Sequence, residues 1–161
     1  MTTAERDHLT QLLARAPFEA ALRKLSSDAT EEQPASLVMA DIDHFKKVND
    51  AHGHPVGDAV LIEVARRLNL VAKGKGEAYR FGGEEFAVLL ANHTAEEALA
   101  VAERARRGVE SSPAGGVSVT SSYGVAAVPT HASSMDQWLK AADAALYDAK
   151  HMGRNLGSAF R

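Results

Sequence analysis

The sequence predicts an α+β fold, a central, mainly antiparallel sheet with helices packed on it. Three observations carry the prediction. Apolar runs of strand length, Leu37–Ala40 and Phe86–Leu90, occur among longer stretches with helical spacing. A Gly82-Gly83 pair separates two strand-like segments, as a tight hairpin requires. The order of elements is helix, strand, helix, helix, hairpin, helix, strand, helix, which gives a helix-on-sheet sandwich.

Each element has its own signal. Leu9 to Leu25 carries apolar residues at helical spacing, and Pro17 inside it predicts two short helical pieces. Ser26–Pro34 is polar and turn-rich, a loop. Leu37–Ala40 reads as a buried strand that ends on Asp41. A short helix is expected over His44–Ala51. A second helical stripe follows at Val60, Leu61, Val64, Ala65, Leu68 and Val71. Tyr79–Phe81 and Phe86–Leu90 form the hairpin, with both glycines free to adopt positive φ. Thr94 with Glu97 makes a capping box for a helix with Ala98, Val101, Ala102, Ala105 and Val109 on its apolar face. Ser111–Gly116 is a turn, and Val117–Val128 holds a strand or a bent pair. Ser134 caps a last helix with the stripe Leu139, Ala142, Leu146 and Ala149, Trp138 packed at its start and Gly153 as its stop.

The 161 residues fit one domain, read as an N-terminal helical segment and loop over 1–34 and a catalytic core over 35–161. The chain is 45% hydrophobic and 24% charged, enough for a core and unlike a disordered chain. A formal net charge of −3 gives no global attraction to nucleic acid or anionic membrane. The three tyrosines and single tryptophan form no stacking array for single strands. The absence of cysteine excludes disulfides, thiolate metal sites and cysteine nucleophiles. The seven histidines show no zinc-ligand spacing. No apolar run approaches the ~20 residues of a membrane span. The N-terminus has no apolar signal core. A cytoplasmic location is expected.

Two acidic constellations carry the chemistry. Asp41-Ile42-Asp43 ends an apolar strand, with Asp41 and Asp43 on one side by alternation. Alone, this is also how a solvated strand-to-helix turn reads, with Asp43 as a helix cap. Gly82-Gly83-Glu84-Glu85-Phe86 places two carboxylates at a hairpin tip, which alone reads as a polar turn. Together the two build an oxygen-rich site suited to Mg²⁺ and phosphates, the layout of metal-assisted nucleotidyl transfer.

The sequence resembles the GGDEF family of diguanylate cyclases. Gly82–Phe86 reads GGEEF. Asp41–Asp58, DIDHFKKVNDAHGHPVGD, is similar to the family's D-x-D-x-F-K-x-x-N-D-x-x-G-H-x-x-G-D at every defined position. Asp7–Thr10 (DHLT) looks like its opening D-x-L-T, and Ala141–Asn155 like its closing A-D-x-A-L-Y-x-A-K-x-x-G-R-N. The resemblance implies a fold like nucleotide cyclase catalytic domains and polymerase palms. It implies a Mg²⁺ site (Mn²⁺ as a substitute) at Asp41, the Ile42 carbonyl and Glu84. Glu84 would also activate the 3′-hydroxyl, with Glu85 beside it and Lys46 stabilising phosphate charge. Asn49, His54 and Asp58 would bind guanine next to Phe45. Gly82 and Gly83 would let the triphosphate approach the backbone, and Lys150 and Arg154, taken as i and i+4 on one helix face, would reach it. Asp58 can accept from guanine N1–H and its exocyclic amine, a donor pair adenine lacks.

The implied reaction joins two GTP into cyclic di-GMP in an antiparallel homodimer, each chain giving half a site. Other readings are a non-catalytic GTP-binding module, which would ordinarily have lost the acidic motif, and a cyclic GMP-AMP synthase, which would lack Asp58. One departure concerns regulation. Where some members carry an inhibitory product site R-x-x-D, this chain has Lys73-Gly74-Lys75-Gly76. A lysine cannot reproduce the arginine fork, and Gly76 offers no acceptor. Product inhibition of that type is not expected. Gln11 and Ala14 stand where the opening motif often continues with Gly and Asn.

Overall fold

The computed structural model describes residues 5–161. Residues 1–4, the start of the expected N-terminal segment, lie outside the described residues. The elements are α1 (Arg15–Asp28), β1 (Ala35–Ile42), α2 (Phe45–His52), α3 (His54–Ala72), β2 (Glu77–Gly82), β3 (Glu85–Ala91), α4 (Ala95–Glu110), β4 (Ser121–Val128), α5 (Met135–His151) and β5 (Gly157–Ala159). The sheet order is β2-β3-β1-β4-β5. All pairings are antiparallel except β4 with β5.

β1 is central, and all eight of its residues are buried. Alternation divides its side chains between two cores. Val38, Ala40 and Ile42 pack with the apolar stripes of α2, α3 and α4. Leu37 and Met39 pack with Phe18 and Leu22 of α1 and Trp138, Ala142 and Leu146 of α5. The sheet is thus covered on both faces, which explains why its middle strands read as continuous apolar runs rather than half-polar ones. Trp138 is wholly buried at the start of α5, with its indole N–H donating to Ala126 O at 2.8 Å. The Thr94 capping box on α4 and the Ser134 cap on α5 form as their sequences predict.

Pro17 does not break a helix. It falls in the first turn of α1, where its missing N–H has no intrahelical carbonyl to bind. The residues ahead of α1, from Arg6 to Ala14, are not helical. Asp7 accepts from the Thr10 backbone N–H (2.8 Å) and hydroxyl (2.7 Å) and turns the chain locally. Leu12 and Leu13 are buried, and Leu13 forms a parallel bridge with Tyr79 that covers the outer edge of β2. Arg80 then donates from Nη1 to both oxygens of Asp7, at 3.1 and 3.0 Å. Burial opposes charge on Asp7, but the Thr10 and Arg80 hydrogen bonds outweigh it and hold the carboxyl below its ordinary value. β5 is the element that periodicity does not announce. Its three residues are too short to alternate, and pairing with β4 defines them.

Two outcomes are expected. Gly124 has no room for a side chain, because a Cβ would stand 2.2 Å from Leu146 N and 2.3 Å from Ala142 O of α5. Gly124→Ala should destabilise by about 3 kcal/mol in urea melts through forced separation of α5 from β4. The Asp7 carboxylate has a depressed pKa, so its stabilisation is present above the unfolded value and is lost as pH falls through the folded one. Asp7→Asn should therefore cost about 1–2 kcal/mol at pH 6, and its difference from the parent should shrink steadily in melts taken towards pH 3.

Candidate active site

The antiparallel register of β1 with β3 sets Asp41 directly opposite Glu85, and Ile42 N donates to Glu84 O at 3.3 Å. The carboxyl end of β1 and the hairpin turn therefore meet. The turn has two residues, Gly83 and Glu84, between the paired Gly82 and Glu85. Only Gly83 has positive φ (48°), the sign pattern of a type II′ turn; Gly82 does not, contrary to the expectation for both. Glu84 and Glu85 are not an exposed tip. Both are partly shielded, Glu84 in the turn and Glu85 at the start of β3.

Like charges directly opposite across a ladder repel. Asp41 is almost wholly buried, and burial pushes its carboxyl above the ordinary value. Lys150 opposes the rise by hydrogen bond and charge, while Glu84 and Asp43 add to it. Burial also raises Glu85, with Asp41 and Asp143 adding repulsion, and burial raises Asp143 against the pull of Arg15 and Lys150. Lys150 Nζ hydrogen-bonds Asp41 Oδ2. The carboxylates thus already draw a cation. No group of three or more His, Asp or Glu side chains among the described residues is preassembled for a metal. The donor set is instead Asp41, Glu84 and a strand-end carbonyl, all hard oxygen. It fits Mg²⁺, which takes few protein ligands and completes its shell with water and phosphate oxygens.

Two adjoining cavities open here. A cleft of about 200 Å³ is lined by Asp41, Ile42, Asp43, His44, Phe45, Lys46, Glu84, Lys150 and Arg154. A larger pocket of about 470 Å³ is lined by Phe45, Lys46, Asn49, His54, Asp58, Leu61, Arg80, Gly83 and Glu84. Phe45, Lys46 and Glu84 belong to both. Lys46 is solvated, its side chain 91% exposed and its ammonium 3.5 Å from Asp50. Glu85 and Gly82 line neither cavity. Glu85 lies in register beside Asp41, and Gly82 is the last residue of β2.

Several contacts go beyond the sequence reading. Asp43 does not cap α2, whose first residue follows His44 without a side-chain cap; its oxygens are bound elsewhere, to β4 and the chain after α5. Lys150 and Arg154 do not share a helix face, because α5 ends at His151 and Arg154 lies in the turn beyond. Arg80 donates from Nε and Nη2 to Gly83 O at 3.2 and 2.8 Å, so one guanidinium ties the hairpin turn to Asp7. Gly57 lies under Asn49, where a Cβ would fall 1.8 Å from Asn49 Oδ1. Glycine at 57 is what leaves room for that carboxamide at the pocket wall. Gly76 is similarly closed, with a Cβ placed 2.0 Å from Leu89 O. Gly57 lies within a quoted motif, whereas nothing in the sequence marked Arg80.

Comparison with known proteins agrees with this geometry. A family model described as "Diguanylate cyclase, GGDEF domain" matches residues 4–156. The probable diguanylate cyclase DgcC of Escherichia coli (strain K12) is 37% identical over 156 residues, covering 93% of this chain and 42% of DgcC. The response regulator PleD of Caulobacter vibrioides (strain NA1000 / CB15N) is 40% identical over 156 residues, covering 92% of this chain and 34% of PleD. The chain thus spans less than half the length of these relatives. The solved GGDEF domain of DgcB from Caulobacter crescentus, in complex with c-di-GMP, superposes with a TM-score of 0.90 at 34% identity, covering 99% of this chain and 97% of that one. The active GGEEF domain of a diguanylate cyclase from Vibrio cholerae gives 0.87 at 32% identity, covering 94% and 99%. With the acidic strand end, the GGEEF turn and their adjoining cavities in one fold, the chain belongs to the GGDEF-domain family of diguanylate cyclases.

Proposed function

We propose that this chain is a diguanylate cyclase domain that condenses two GTP into cyclic di-GMP and two pyrophosphates. The observation that carries the reading is the sharing of Phe45, Lys46 and Glu84 between the two cavities. A base in the larger pocket would send its ribose and phosphates past Glu84 into the acidic cleft. Asn49 and Asp58 would bind the guanine edge with His54 beside them, and Lys46 and Arg154 would meet phosphate charge. Asp41, the Ile42 carbonyl and Glu84 would hold Mg²⁺, or Mn²⁺ in its place, and the ion would neutralise charge on the triphosphate. Lys150 now answers the charge of Asp41, a need the ion would share.

Each 3′-oxygen forms a bond to the α-phosphorus of the other nucleotide. The α–β bridging P–O bond breaks and pyrophosphate leaves with the electron pair. Glu84 takes the hydroxyl proton. One chain has one base pocket and one cleft, so two chains must face each other for both bonds to form. Inhibition through an R-x-x-D site is not part of this reading. The Gly76 backbone cannot carry an aspartate without moving β3, and Lys73 lacks the fork.

Incubation with GTP and Mg²⁺ should yield cyclic di-GMP at a rate rising with the square of protein concentration while dimerisation limits it. Glu84→Ala should lower that rate ~10²–10⁴-fold. Saturable GTP binding with no cyclic dinucleotide at any concentration would refute the enzyme and leave a binding module, and product from ATP plus GTP would refute guanine selectivity. Gly57→Ala should weaken GTP binding by about tenfold, the scale of one displaced hydrogen-bonding group. In an Asn49→Ala background the same change should leave affinity alone and raise Tm, because alanine favours the helix.

A further inference from the structure

Arg154 reaches the acidic cleft from an unfavourable backbone. Gly153, Arg154 and Asn155 have φ of 124°, 60° and 50°, three successive residues on the left-handed side. Only glycine adopts such angles freely, so Arg154 and Asn155 must be held there by their surroundings. The hold is visible. Asn155 N donates to Asp43 Oδ2 and to Ser122 Oγ, both at 3.1 Å. Asp43 is nearly wholly buried and also accepts from Thr120 Oγ1 and Ser122 Oγ, each at 2.7 Å. A carboxylate in this position joins β1, β4 and the turn after α5 through three donors.

We propose that Asp43 is a positioning residue. It fixes the Arg154–Asn155 turn so that the Arg154 guanidinium faces a phosphate, and it is not a second metal ligand. This rests on the nucleotide reading above. Its carboxylate oxygens already accept these hydrogen bonds, whereas Asp41 and Glu84 face the cleft with only Lys150 between them. Arg154 is absent from the ion pairs formed among the described residues, and its fork is left for an anionic ligand. A helix could not have delivered it. Continued past His151, α5 would put position 154 one turn further along its axis, whereas the left-handed turn folds the chain back over the end of β1 and on into β5.

The test is equilibrium binding of a non-hydrolysable GTP analogue and of GMP, each with Mg²⁺, to the parent, Arg154→Ala, Asp43→Asn and the double variant. Asp43→Asn should weaken the analogue by about the same factor as Arg154→Ala, ~10-fold. GMP affinity should stay within about twofold, and the double variant should be no weaker than either single one, as expected for residues acting through one contact. The Asn155 amide should lose hydrogen-exchange protection in Asp43→Asn. Additive losses, or a changed Mg²⁺ midpoint with unchanged analogue affinity, would overturn the proposal and make Asp43 a metal ligand. If Asp43→Asn does not fold, Ser122→Ala removes one acceptor of the same amide and should show a smaller shift of the same kind; unchanged analogue affinity there would count against the proposal. A parent that binds neither nucleotide would refute the nucleotide reading instead, while the exchange measurement would still report whether Asp43 holds the turn.

Discussion

The register of β1 against β3 governs the rest of this structure. It sets Asp41 opposite Glu85 at the end of the two central strands, with Glu84 in the turn immediately beside them. A purely structural sheet would avoid this arrangement, since like charges facing one another weaken a ladder. Burial deepens the conflict and raises both carboxyls above their ordinary values. A nearby positive charge relieves it. Lys150 supplies that charge in the structure, from a helix 109 residues away in sequence. The packing of α5 on β4, close enough at Gly124 to exclude any side chain, is what brings the ammonium there. Core packing and site electrostatics are therefore one problem in this fold.

Elements with long, regular patterns were legible from the residues alone. The stripes of α3, α4 and α5 and the caps at Thr94 and Ser134 are local facts, and they hold locally. The acidic pairs were legible as chemistry because β1 is an apolar run that stops on a carboxylate. Three features were not legible, each for the same reason. Residues 9–14 carry helical spacing, but Leu12 and Leu13 are buried against the edge of β2, and tertiary contact overrode periodicity. β5 exists only by pairing. The relation of Lys150 to Arg154 follows i, i+4 spacing only if the helix continues, and Gly153 ends that possibility.

The two cavities are built by different means. The larger pocket is shaped by close backbone and side-chain approach. α2 and α3 are joined through Gly53, and Gly57 lets Asn49 lie against the first turn of α3. Such a wall has little freedom, which under the nucleotide reading proposed above would suit discrimination between bases, where one misplaced donor or acceptor decides affinity. The acidic cleft draws on long side chains as well. Lys46 is almost fully solvated, and Arg154 extends from a turn. Long cations could follow a charge that shifts during the proposed reaction, whereas a carboxamide packed on a glycine could not.

The backbone itself marks the site. Among the described residues, the non-glycine positions with positive φ are Gln11, His44, Asn92, Arg154 and Asn155. His44 and Arg154 line the acidic cleft, and Asn155 is bonded to Asp43 at its floor. Such conformations cost ~1–2 kcal/mol per residue outside glycine, so each must be compensated by its neighbours. At His44 the left-handed residue turns the chain from β1 directly into α2 and swings Phe45 and Lys46 over the end of the sheet. At Arg154 it turns the chain from α5 back towards β5. Local preference and global fold disagree at these points, and in a sequence otherwise consistent with its structure such disagreements gather where function sets the geometry. The motifs DIDHF and GRN are thus, physically, two places where the chain must bend the wrong way to surround one cleft.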